Sequence, residues 1–118
     1  MNKLLIKDAT IINEGKRSIE DIYIEGEFIK KIGVGIKLNN EVETINANGF
    51  LVIPGMIDDQ VHFREPGLTH KGDISTESKA AIAGGVTSYI EMPNTIPNTT
   101  TIEEFNNKIK NASNNSFA

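Results

Sequence analysis

The order of patterned segments after residue 55 most constrains what this chain can become. Met56–Phe63 alternates imperfectly between apolar and polar residues, with the polar ones gathered at its C-terminal end. Asp73 is a plausible N-cap for a helix carrying Ile74, Ser78, Ala81 and Ile82 on one face, and Gly84-Gly85 supplies a stop. Val86–Met92 is rich in strand formers and ends at Pro93. Thr101-Ile102-Glu103-Glu104 has capping-box spacing, and Ile102, Phe105 and Ile109 follow at helical intervals. Strand, helix, strand, helix implies an α/β fold with a parallel sheet, either a (β/α) barrel or a doubly wound sheet. Both need more strands than two, and a (β/α)8 barrel takes roughly 250 residues. The stretch Asn111–Ala118 is polar and patternless, so it reads as a loop rather than a finished C-terminus. The expectation is a fragment of a longer protein, which in isolation folds poorly and shows no activity; the alternative is a small α+β domain that ends naturally.

The first fifty residues read differently, as an all-β module of small hairpins. Leu4-Leu5-Ile6 and Thr10-Ile11-Ile12 are brief apolar runs separated by Lys7-Asp8. Ile19–Ile24 and the run from Phe28 flank the turn Glu25-Gly26, which suggests a hairpin. Asn39-Asn40 marks another turn, Val42–Ile45 alternates in strand fashion, and Phe50–Ile53 is a short apolar run broken by Pro54-Gly55.

Composition excludes more than it identifies. With 12 basic and 16 acidic residues and a net charge of -4, the chain has no basic footprint for nucleic acid. No window approaches the roughly 18 apolar residues of a membrane span, and the first residues do not form a signal peptide. Cysteine is absent, which removes disulfides and thiolate metal sites and fits a cytoplasmic location. Any metal would need histidine, carboxylate or amide oxygen, and there are only two histidines, His62 and His70.

Asp58, Gln60, His62 and Arg64 alternate, so on a strand they would share one face. A polar face on a buried strand is costly unless something binds there. One reading is a metal and anion site, with imidazole as a zinc ligand and guanidinium holding a carboxylate bidentately. The other is an edge strand whose polar face is solvated. Asn94, in Glu91–Pro97, follows the second β-run and would lie on the same rim; its amide could contact a substrate, or form an Asx turn between prolines. Glu65 could support Arg64 or His62. His70 and Lys71 read as solvated.

These residues resemble a known family. Pro54-Gly55-Met56-Ile57-Asp58, then His62-Phe63-Arg64-Glu65-Pro66-Gly67, is similar to the opening motif of class I dihydroorotases in the amidohydrolase superfamily. Ala83–Thr87 and Met92–Pro97 match the next two blocks in order and spacing. Hydantoinases and allantoinases share the superfamily motif, but Arg64 with Met92-Pro93-Asn94-Thr95 favours dihydroorotase. The resemblance implies residues 1–53 as the N-terminal part of a small β-sandwich and 54–118 as the first two β-α units of a (β/α)8 barrel. It further implies one or two zinc ions, with His62 as a ligand, and a substrate carboxylate held by Arg64 and Asn94. The reaction implied is reversible cyclisation of N-carbamoyl-L-aspartate to L-dihydroorotate, with the general acid/base beyond residue 118. The partners implied are a small-molecule substrate, a second copy of the chain or another pyrimidine-pathway enzyme, with no nucleic acid and no membrane. Gln60 departs from the motif: it stands where the family usually has a histidine, and an amide oxygen is a poorer zinc ligand than imidazole. Three consequences stay open, namely one zinc fewer, ligation through the amide oxygen, or a non-catalytic dihydroorotase-like subunit.

Overall fold

The computed structural model describes residues 2–118 and divides into two compact units, Met1–Pro54 and Gly55–Ala118. Together they form an α/β structure composed mostly of strands.

The first unit is a five-stranded sheet built on one long strand, β1 (Lys3–Asn13). β1 pairs antiparallel with β2 (Lys16–Glu25), and β2 pairs antiparallel with β3 (Phe28–Gly33) across the turn that begins at Gly26. The two apolar runs expected as separate strands are therefore one strand, interrupted by a bulge at Lys7-Asp8 rather than by a turn. Asp8 sits there at φ 57, and the extra residue keeps both halves in register with β2. The other edge of β1 carries β4 (Glu43–Asn46) and β5 (Leu51–Val52), both parallel to it. The Val42–Ile45 run is thus not an arm of a hairpin but a crossover partner of β1.

A buried carboxylate stabilises this irregular backbone. Asp21 is 2% exposed on β2. It accepts the Asp8 N–H from the bulge at 2.9 Å and the Ile36 N–H from the loop after β3 at 2.8 Å. Neither N–H has a strand partner, so one side chain satisfies two donors that the ladder leaves open. The Asp8 N–H is the main reason the Asp21 carboxyl titrates below its usual 3.8; burial opposes the shift, and the Ile36 N–H and the Lys7 charge reinforce it.

The second unit opens with β6 (Met56–Val61), crosses through α1 (Ile74–Ala83), and returns as β7 (Val86–Glu91) parallel to β6. α2 (Ile102–Asn115) follows. Asp73 caps α1 by accepting the Thr76 N–H, and Thr101 Oγ1 caps α2 by accepting the Glu104 N–H. Val61, Phe63 and Ile74 form the core, with Ala81, Tyr89 and Ala112 packed against them. The close start of the strand pair leaves no room for a side chain at Gly55, where a Cβ would overlap Thr87.

The polar stretch after residue 110 is helix to Asn115, not loop. Its propensity is poor, but tertiary ties override that. Ala112 packs on the core, the Tyr89 and Ser116 hydroxyls are 2.8 Å apart, and the buried Ser78 Oγ accepts the Phe117 N–H. Ile102, Phe105 and Ile109 do share the helix as expected, yet all three are exposed. No helix is long and apolar enough to cross a membrane among the described residues.

Asp21 yields a stability prediction. Its contribution is present above the unfolded pKa and is lost as pH falls through the lower folded value. Asp21→Asn keeps one acceptor and loses the charge, so it should cost about 1–2 kcal/mol near neutral pH. Thermal midpoints of the intact protein should show a wild-type decline below about pH 4 that is blunted in the variant.

Candidate functional site

Because β6 and β7 are parallel neighbours, the loops that leave them lie side by side at their C-terminal ends. Four contacts join these loops in sequence. The Met92 N–H donates to Val61 O at 3.0 Å, continuing the strand pairing. The Phe63 N–H donates to Glu91 Oε1 at 3.0 Å. His62 Nδ1 and Asn94 Oδ1 are 2.9 Å apart. The Ile96 N–H donates to Pro66 O at 3.1 Å. The segments 61–66 and 91–96 are thus tied along their length by one side-chain pair and three backbone donors.

Packing sets the orientation of the first segment. Val61 and Phe63 are buried, and the Phe63 ring meets Tyr89 at a centroid distance of 4.6 Å, tilted by 55°. Burying such a ring stabilises by about 2–3 kcal/mol and the aromatic contact adds about 1 kcal/mol. With its neighbours facing inward, His62 is exposed.

Gly67 closes the approach of the loops: it has φ 80, and a Cβ there would overlap the Ile96 carbonyl oxygen. Thr95, 2% exposed, stitches the second loop internally through Pro97 O at 2.8 Å and the Thr99 hydroxyl at 3.1 Å.

The four alternate positions do not share one strand face. β6 ends at Val61, its pairing with β7 slips between Asp58 and Val61, and Arg64 lies beyond the strand at φ 70. The period of two fails because a bulge inserts a residue and the chain then leaves the sheet. His62 and Asn94 are brought together. Gln60 is exposed, and its own N–H is taken by Asp58 Oδ1 at 3.0 Å. Arg64 is half-buried and stands outside both ion pairs found among the described residues, Lys3–Glu25 and Lys108–Glu91. His70 is exposed in a turn.

Glu65 has a different task from the one expected. Its Oε2 accepts the Ile74 N–H at 2.9 Å, so it caps α1 rather than supporting Arg64 or His62. Sequence reasoning named Glu91 only as the start of the Asn94 segment, with no task of its own, and missed Lys108. Glu91 could have been noticed as a charge closing an apolar strand, but nothing local marks Lys108 as its partner. No group of three His, Cys, Asp or Glu side chains suited to a metal ion occurs among the described residues.

A parallel strand pair with polar residues in its C-terminal loops, following a separate sheet unit, is the N-terminal arrangement of an amidohydrolase. The L-hydantoinase (dihydropyrimidinase) of Arthrobacter aurescens superposes with a TM-score of 0.88 at 31% identity, over 95% of this chain and 25% of that one. The chain belongs to the dihydro-orotase-like family, whose model matches residues 49–116. It is 45% identical over 96 residues to the dihydroorotase of Trichlorobacter lovleyi, covering 80% of this chain and 23% of that protein. It is 43% identical over 101 residues to that of Staphylococcus aureus, covering 86% and 24%. The chain therefore spans about a quarter of the length of the curated relatives it matches. The resemblance read from the Pro54–Pro97 motifs is the correct family.

Two of the glycines at positive φ, Gly67 and Gly15, lie in different surroundings and separate conformational from steric cost. Gly67→Ala should destabilise by about 3 kcal/mol, since backbone must move as well as adopt a disfavoured φ. Gly15→Ala, at φ 72 with open space around it, should cost only about 1 kcal/mol. Paired thermal or urea midpoints check the difference.

Proposed function

We propose that the intact protein is a zinc-dependent dihydroorotase that interconverts N-carbamoyl-L-aspartate and L-dihydroorotate. In this reading residues 1–53 are part of a small β-sandwich and residues 54–118 open a (β/α)8 barrel. The exposed apolar residues on β6, β7 and α2, among them Ile57, Ile90 and Phe105, support it, because further strands and helices would cover them. A cytoplasmic location and a small-molecule substrate go with the same reading.

The observation that carries the proposal is the His62–Asn94 contact, which ties the two family motifs into one site. With Asn94 Oδ1 as acceptor, Nδ1 of His62 holds the proton and Nε2 carries the lone pair, the tautomer a metal ligand needs. The Asn94 Nδ2 group is then left to donate to a substrate carboxylate. Arg64 offers a guanidinium to the same carboxylate, with bidentate geometry available.

The fit to zinc is partial. His62 would supply one ligand, Gln60 only a neutral amide oxygen, and the described residues hold no three-donor group. When bound, zinc supplies Lewis-acid polarisation of the scissile carbonyl. This chain's own contribution is to orient His62 and to recognise the carboxylate. Gln60 specifically favours a second reading, a non-catalytic dihydroorotase-like subunit that keeps the anion site.

Metal analysis and a dihydroorotate hydrolysis assay on the intact protein test these readings. Bound zinc with turnover supports the enzyme; neither, with dihydroorotate still bound, supports the subunit. In the enzyme, Arg64→Met and Asn94→Ala should each raise KM roughly tenfold to a hundredfold, the loss of one charge-assisted contact. Unchanged KM in both would remove them from the carboxylate site.

A further inference from the structure

Glu91 and Lys108 are the charged pair that the family motifs do not account for. Their side chains are 8% and 11% exposed. Glu91 closes β7, and Lys108 reaches it from α2. Glu91 Oε1 accepts the Phe63 N–H, the amide between His62 and Arg64. Its Oε2 has no directed hydrogen bond and takes the Lys108 ammonium as its ionic partner. Lys108 Nζ also donates to Met92 O at 3.1 Å, two residues before Asn94. A single ammonium thus anchors the stems of both loops.

The pair is largely withdrawn from solvent. The pair borders a groove of about 330 Å³ whose walls include Ile74, Tyr89, Phe105 and Ile109. The two side chains themselves are little exposed, so their charges interact more strongly than at a surface. The burial pulls the Lys108 pKa below its usual 10.5. A buried ion pair is a weak means of stabilising a fold, because desolvation offsets much of the attraction. Its geometry here has another consequence: it fixes where Phe63 N–H and Met92 O stand relative to each other.

We propose that Glu91 and Lys108 are positioning residues, a strut from α2 that sets the spacing between the loop bearing Arg64 and the loop bearing Asn94. The proposal rests on the reading that those two residues hold the substrate carboxylate. Neither Glu91 nor Lys108 touches substrate; both act through the backbone of Phe63 and Met92.

The test uses the intact protein with K108M, K108R and the double variant E91Q/K108M, which leaves no unpaired charge buried if K108M alone fails to fold. Hydrogen exchange of the 61–65 amides reads the strut directly, independent of activity. K108M should speed that exchange about tenfold while β1 and β2 amides stay as in wild type, and K108R should restore it. KM for dihydroorotate should rise about fivefold with kcat little changed. Unaltered 61–65 exchange in the folded variants overturns the strut, as does a lowered thermal midpoint with KM unmoved. A wild type that neither binds nor turns over dihydroorotate sinks the functional reading instead, while the exchange result still decides the strut.

Discussion

A carboxylate withdrawn from water must find donors, and the second unit is arranged around how Glu91 finds them. One oxygen takes the Phe63 N–H and the other faces Lys108. The first bond holds the chain after β6 against the end of β7 just where strand pairing stops. With that amide held, the Phe63 ring lies on Tyr89, and His62 before it is left exposed opposite Asn94. The site geometry therefore follows from a buried charge and an aromatic contact more than from the strand that precedes it.

The first unit uses the same physics elsewhere. Asp21 takes the N–H of a bulge and the N–H of a distant loop, two donors that no strand can satisfy. Glu65 does so for the first turn of α1. In each case a carboxylate stands where the backbone departs from regular hydrogen bonding. An unmet buried donor costs about as much as a hydrogen bond is worth, so the side chain decides whether the irregular conformation persists.

This explains what could and could not be read from the chain. The helices were legible because their signals are local: Asp73 and Thr101 as caps, Gly84 as a stop, and apolar spacing between them. β7 was legible from its β-branched content. The bulge in β1 was not, since Lys7-Asp8 looks like a turn until Asp21 is seen to hold it. The parallel placement of β4 was hidden as well, because alternation reveals a strand but not its partner. The face proposed for Asp58, Gln60, His62 and Arg64 assumed an unbroken period, and a pairing slip beyond Asp58 ended it. The helical end at Asn115 depended on Tyr89 and Ser78, both remote in sequence. Of the candidate site, His62, Arg64 and Asn94 were visible through their motifs, while the Glu91–Lys108 pair was not.

The same local physics bears on Gln60. It lies on β6, before the chain leaves the sheet, and its N–H is held by Asp58 rather than by the network around Glu91. His62, Arg64 and Asn94 hang instead on Phe63, Glu91 and the paired loops. On the proposed reading, the carboxylate-binding half of the site and the position where the family usually has another histidine have separate supports. Replacing an imidazole by an amide at position 60 changes the donor offered to a metal without disturbing any contact that joins the two loops. That separation gives a physical route by which a chain can keep its substrate-recognition geometry while its metal chemistry varies.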